Sequence, residues 1–247
     1  MKLAKIDPHV SCPIVCGEYM RASGFFFNAA DQTYLITARH NLLPTDASTL
    51  ATGRFSLSYR TEDYLPTIDI YLRDDPSFTV KRVDLTEQSG ILLDDAIDVI
   101  GIPIIFSPED YGYVVWTLDD ITPESSPEFL DIIGYPGPAF PDPGPYDRET
   151  YAQKITEPYI LRLQDDFPTH QEVFPSTGQI SLGIVTGVDD STPSYRGYSG
   201  SPVLGDNLAG IHCADVGITA MNTETGEKSV HPAIAYWEAD VLRQLLK

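Results

Sequence analysis

Lysine is scarce in this 247-residue chain: six Lys and ten Arg stand against thirty-six Asp and Glu, for a formal charge of −20. A surface this acidic repels phosphate backbones and anionic headgroups, so neither nucleic acid nor a membrane is an expected partner. Cysteine is nearly absent as well. The three present, Cys12, Cys16 and Cys213, leave at least one unpaired and match no zinc-ligand spacing, which points to a reducing compartment. No eighteen apolar residues run together, and the N-terminal segment lacks an apolar stretch followed by a small-residue cleavage site. The expectation is a cytoplasmic protein, or a secreted one whose export signal has been removed.

What is plentiful is turn and strand material: twenty Pro, eighteen Gly and fourteen Tyr in a chain that is 42% hydrophobic. The apolar segments are short, rich in Val, Ile, Tyr and Phe, and bounded by Gly, Pro or Asp, which predicts an all-β protein. Expected strands cover 24–27, 34–37, 55–59, 68–72, 99–103, 129–134, 180–185, 202–204 and 208–213. Residues 106–126 are polar and acidic, as in a linker lying over a surface. Residues 135–150 carry five Pro and two Gly, too many for a strand or helix interior, and read as an exposed irregular loop. Trp237, Val241, Leu242 and Leu245 fall near one helical face, predicting a terminal helix over 237–247.

Chemistry concentrates in Gly197-Tyr198-Ser199-Gly200-Ser201-Pro202. A nucleophilic Ser needs small neighbours: Gly197 can take backbone angles closed to other residues, so that its N–H and that of Ser199 converge on one oxyanion. Taken alone, such a string more often means a Gly/Ser turn between strands. A Ser hydroxyl also needs an imidazole within reach and a carboxylate to set the imidazole's tautomer. Of the five His, His40 stands where an apolar strand (Tyr34 to Ala38) gives way to polar residues, and Asp98 is the last acid before the apolar run from Val99. Singly, these read as a solvated His and a strand-entry carboxylate. Together, the three follow in the order His, Asp, Ser.

In that order, TARH ending at His40, DVIG starting at Asp98 and GYSGSP around Ser199 resemble the marks of the trypsin-like, chymotrypsin-fold serine peptidases. GFFF at Gly24–Phe27, GYPG at Gly134–Gly137, GIH at Gly210–His212 and the terminal AIAYWEADVLRQLLK extend the likeness, within that family, toward the bacterial glutamyl endopeptidases. The resemblance implies two six-stranded antiparallel β-barrels and a C-terminal α-helix. It divides the chain into a first barrel (8–110), a linker (111–126), a second barrel (127–236) and the helix (237–247).

It further implies His40, Asp98 and Ser199 as a catalytic triad, with the Gly197 and Ser199 amides as oxyanion hole. A primary pocket would be lined by Ser194, His212 and Cys213. An imidazole and a hydroxyl there would donate to a P1 Glu or Gln, although His212 reads equally as a satisfied wall residue of a pocket selecting something else. No metal or organic cofactor is expected, and the partner is a protein or peptide substrate, with any regulatory protein unspecified. Three departures stand out: Tyr198 replaces the acid that pairs with a freshly cut N-terminus in trypsin, Arg39 replaces a small residue, and Asp215 stands on the substrate's path. The rival expectation is a silent relative that keeps the cleft and binds protein.

Overall fold

The computed structural model describes residues 7–43, 64–74, 77–121, 129–140, 146–164, 180–186, 196–221 and 228–247. The expected strand at 55–59 and the pocket residue Ser194 lie outside them.

The first half of the chain forms one eight-stranded sheet. Its members are β1 (Cys12–Cys16), β2 (Met20–Ala29), β3 (Gln32–Ala38), β4 (Thr67–Asp74), β5 (Ser77–Asp84), β6 (Leu92–Leu93), β7 (Val99–Pro103) and β8 (Val115–Trp116). The path runs β5-β4-β1-β2-β3-β7-β6, with β8 attached to β2. The strands of five residues or more pair with one another antiparallel. The two-residue β8 pairs in parallel, Phe26 opposite Val115.

The second half closes on itself. Strands β9 (Phe129–Gly134), β10 (Tyr159–Gln164), β11 (Ile180–Thr186), β12 (Pro202–Leu204), β13 (Leu208–Met221) and β14 (Lys228–Glu238) form a closed barrel in the order β10-β11-β14-β13-β12-β9. The architecture is the all-β one expected. Among the described residues no helix is long and apolar enough to cross a membrane.

Strand alternation explains how the halves meet. On β2, Ala22 and Phe26 enter the core inside the first sheet, with Ile14, Leu35, Ile70 and Ile102. The other face of β2 presents Phe25 and Phe27 to a second core shared between the halves, where Leu208, Ile211, Cys213, Ala235 and Trp237 come from the barrel. Ser23 lies on that same face, completely buried.

Two expectations change. The first concerns residues 135–150. Gly137–Ala139 form a short turn and α1 (Arg148–Lys154) begins at an Asp147 cap, whose carboxylate accepts from the Glu149 and Thr150 amides. Tyr135, Ala139, Phe140, Tyr151, Ala152 and Ile155 are buried against Val15, Tyr71 and Phe78 of the first sheet. The prolines exclude a regular interior, but the aromatics between them supply enough apolar surface to pack.

The second change is at the C-terminus. The helix α2 is Val241–Leu245 alone, and Trp237 belongs to β14, paired with Ile180 and Ile211. Trp237, Ala239, Val241 and Leu242 satisfy a twofold repeat running into a helical one, so the helical period reads through the strand end. Trp237, Val241, Leu242 and Leu245 still share a core, the one between the halves.

Candidate active site

The pairing of β3 with β7 places Ala38 opposite Val99. The next residues along therefore meet as well: Arg39 N–H donates to the Asp98 carbonyl at 3.2 Å. There β3 leaves the sheet through a 3₁₀ turn, Arg39–Leu42, which swings His40 back over Asp98. The Asp98 carboxylate then takes two hydrogen bonds from one residue, the His40 amide on Oδ1 at 2.9 Å and the ring Nδ1 on Oδ2 at 2.7 Å. Its side chain is 3% exposed and that of His40 14%. A carboxylate accepting from Nδ1–H leaves the Nε2 lone pair as the ring's basic position.

Arg39, the departure beside the base, points away from it. Its guanidinium donates from Nε to the Tyr64 hydroxyl and from Nη2 to Asp95 at 3.3 Å, and the Tyr64 ring lies beneath it. Its side chain is buried, so the cation is held in a structural contact.

The loop carrying Ser199 is held by its carbonyls. Arg196 O accepts from Gly137 N–H at 2.7 Å, and Tyr198 O from Ser201 N–H at 2.8 Å. Gly197 O takes the Ser23 hydroxyl at 2.8 Å. Ser199 O takes both the Ser23 amide at 3.2 Å and the Asn41 side-chain amide at 2.9 Å. With those carbonyls turned toward the body of the protein, the N–H groups of Gly197 and Ser199 find no acceptor among the described residues. Two donors without an acceptor on one tight loop are what an oxyanion site would require.

Glycine is required here. Gly197 has φ +104°, and a Cβ on it would lie 2.6 Å from the Tyr135 carbonyl. Gly200, at φ +88°, would place a Cβ 2.2 Å from the Thr37 hydroxyl and 2.3 Å from the Ser23 carbonyl.

Tyr198 is 1% exposed and packs among Leu130, Ile132, Leu163, Val203 and Ile234 inside the barrel. Apolar burial of this ring ties the loop to the barrel.

His40, Asp98 and the Ser199 loop thus converge at the junction of the halves. Ser199 Oγ and His40 Nε2 are not hydrogen-bonded to each other in this conformation. Such bonds are commonly loose until substrate is seated.

His212 is 1% exposed, with Nε2 3.2 Å from Asp215 Oδ1 and its ring edge-on to Tyr198. Its Nδ1 and the Ser201 hydroxyl are buried without a hydrogen-bond partner among the described residues. Cys213 turns elsewhere: its side chain lies in the core between the halves, with Sγ donating to Ala235 O at 3.2 Å. Any contribution it makes to a pocket is through its backbone.

Sequence reasoning did not find Ser23, Asn41 or Asp215's contact with the His212 ring. One signal was legible. Ser23 shares a strand face with Phe25 and Phe27, so it is a polar residue set into an apolar seam.

No family model matches the chain, and no curated protein matches it. Solved structures do. An HtrA-type protease, AlgW, bound to a tripeptide superimposes with a TM-score of 0.51 at 12% identity, covering 97% of this chain and 59% of that one. The human heparin binding protein superimposes with a TM-score of 0.54 at 9% identity, covering 98% of this chain and 93% of that one. The fold is the trypsin-like one. This chain thus spans about three-fifths of the AlgW chain and nearly all of the heparin binding protein. At such identities the trypsin-like likeness is one of backbone, and what the site does is argued from the residues themselves.

Proposed function

We propose that this trypsin-like chain is a serine endopeptidase, hydrolysing peptide bonds through an acyl-enzyme on Ser199. The observation that carries the reading is a coincidence at the seam. A His gripped through Nδ1 by a buried carboxylate sits beside a loop whose Gly197 and Ser199 amides are unspent.

In the proposed cycle, His40 Nε2 takes the Ser199 proton as Oγ attacks the scissile carbonyl carbon. Electron density moves to the carbonyl oxygen, where the Gly197 and Ser199 N–H groups stabilise it. Asp98 holds the imidazolium. His40 then gives its proton to the leaving amine, the C–N bond breaks, and water repeats the sequence to release the acid and restore Ser199.

The proposal extends to a P1 Glu or Gln met by His212, with Ser194 as the pocket hydroxyl. Asp215 refines it: its carboxylate lies 3.2 Å from His212 Nε2, and a second carboxylate brought beside it is opposed by charge. A glutamine amide can accept from the ring and donate to Asp215, so Gln is favoured over Glu.

A fluorophosphonate that labels the native chain, but neither Ser199→Ala nor His40→Ala, supports the nucleophile. Absence of labelling on the folded chain rejects it. A peptide library cleaved mainly after Lys, Arg or Phe would reject the P1 reading while leaving the endopeptidase intact.

A further inference from the structure

Ser23 is placed as no ordinary core serine is. Its hydroxyl donates to Gly197 O at 2.8 Å and accepts from Tyr135 N–H at 2.8 Å. Its amide donates to Ser199 O, and its carbonyl accepts from the Thr37 hydroxyl at 2.8 Å. Thr37 Oγ1 in turn accepts from Asn41 Nδ2 at 3.0 Å, and the same Asn41 nitrogen reaches Ser199 O. Every polar group of Ser23 is used, none on its own turn, and together they join a strand of the first sheet to three residues of the second half.

A peptide unit is planar, with its C=O and N–H opposed, so fixing a carbonyl fixes the following amide's direction. The carbonyls of Arg196 and Tyr198 are held by main-chain donors, which orients the Gly197 and Ser199 N–H groups. The unit between them, Gly197 C=O to Tyr198 N–H, follows a glycine at φ +104° with no side chain to restrict its rotation. The Ser23 hydroxyl is the group that holds this carbonyl. Turned the other way, the Gly197 carbonyl would disturb the spacing of the two amides on either side.

We propose that Ser23 is a positioning residue, a latch across the seam that keeps the oxyanion loop in its receptive orientation by holding the Gly197 carbonyl. The proposal rests on the reading of Ser199 as nucleophile and assigns Ser23 no contact with substrate. It commits to an effect on transition-state binding, since negative charge on the carbonyl oxygen develops there and is absent from the bound substrate.

The test compares wild type, Ser23→Ala and Ser23→Thr, the last retaining the hydroxyl. The measurements are peptide hydrolysis, affinity for a peptide aldehyde that forms a tetrahedral adduct, thermal unfolding, and a crystal structure of Ser23→Ala. Loss of one oxyanion donor slows such enzymes about 10²–10³-fold, so misaligning a pair is expected to lower kcat roughly 10–100-fold. KM should stay within about twofold, aldehyde affinity should fall in step with kcat, and Ser23→Thr should recover most of the loss.

A Ser23→Ala enzyme with a lower melting temperature but unchanged kcat and aldehyde affinity would reduce Ser23 to a structural residue. So would a Ser23→Ala crystal structure with the Gly197–Tyr198 peptide unmoved. If Ser23→Thr folds poorly, the alanine structure and the split between kcat and KM decide alone. A wild type that neither hydrolyses peptide nor binds aldehyde overturns the peptidase reading instead, and the peptide orientation in Ser23→Ala then still judges the latch.

Discussion

Among the described residues, two carboxylates are buried in the first half of the chain, and their partners differ. Asp98 lies at the strand end facing one imidazole. Asp69, completely buried in β4, faces guanidinium and phenol groups: Arg82 grips it bidentately at 2.7 and 2.8 Å, Arg148 Nε lies at 3.4 Å, and the Tyr146 hydroxyl donates to it. Tyr146 also meets Tyr71 at 2.8 Å. Both acids are satisfied, but the partners differ in kind. An arginine is always charged, so Asp69 is permanently neutralised and serves to bind Tyr146 and α1 to the sheet. An imidazole gains and loses its proton, so Asp98 can stabilise a cation that exists only during a reaction. Burial of an acid is therefore no signal of catalysis by itself.

The largest expected effect breaks the comparison on the Asp98 side. Asp98→Asn should lower kcat/KM for a peptide substrate by about 10⁴-fold, because the wrong tautomer is favoured while the geometry remains. Its melting temperature should change little, and full activity in the Asp98→Asn variant would place the base elsewhere.

Asp69→Ala should do the reverse. Removing the carboxylate leaves the Tyr146 hydroxyl without its acceptor and unpairs two partly exposed arginines, expected to cost about 1.5–3 kcal/mol in urea unfolding. Phosphonate labelling of the molecules that remain folded should stay within a few-fold of wild type. A fall in labelling of about 10²-fold or more, of the size seen when an oxyanion donor is lost, would show that Asp69 belongs to the site.

A pH titration sharpens the contrast. Burial, and then hydrogen bonding to Asp69, push the Tyr146 phenol well above its ordinary value, and burial raises Tyr71 likewise. Burial also holds Cys12 and Cys16 as thiols. These groups keep their protons in the folded chain at pH values where the unfolded chain releases them. Their contribution is thus complete below the ordinary values of 9.0 for Cys and 10.0 for Tyr. It is lost as pH rises beyond those values. Urea midpoints measured from about pH 7 to 11 should fall above about pH 9. A midpoint rising with pH would contradict the assignment.

The smallest effect is expected from Tyr146→Phe, which removes one hydroxyl from Asp69 while both arginines remain. About 1–2 kcal/mol of stability should be lost, with no change in kcat. A double-mutant cycle with Arg82→Ala would show whether the tyrosine and arginine act on Asp69 together.

Much of the first sheet and the barrel was legible because their central strands are apolar on alternating or both faces, as in β2, β3, β7 and β9. The strands that escaped, β1, β5, β6, β8, β10 and β14, are short or carry charge. In β5, Lys81 and Arg82 interrupt the apolar pattern, and Arg82 is there because its cross-strand neighbour is Asp69. Asp69 falls within the expected strand 68–72, but nothing nearby in sequence reveals the arginines that neutralise it. His40 and Asp98 stood out because each marks a strand end beside apolar residues. Ser23 and Asn41 did not, because serine and asparagine beside glycine and polar residues read as turn material.

The amino-acid sequence alone determined what is local: the alternation that makes strands, the glycines that permit positive φ at Gly197 and Gly200, and an acidic surface. Those properties depend on neighbours a few residues apart and on side-chain chemistry. The tertiary structure decided which polar groups meet. His40 finds Asp98 across 58 residues of chain, Tyr135 finds Ser23 across 112, and Ser23 finds Gly197 across 174. A hydrogen bond requires atoms about 3 Å apart, and only the packing of one half of this chain on the other sets such distances.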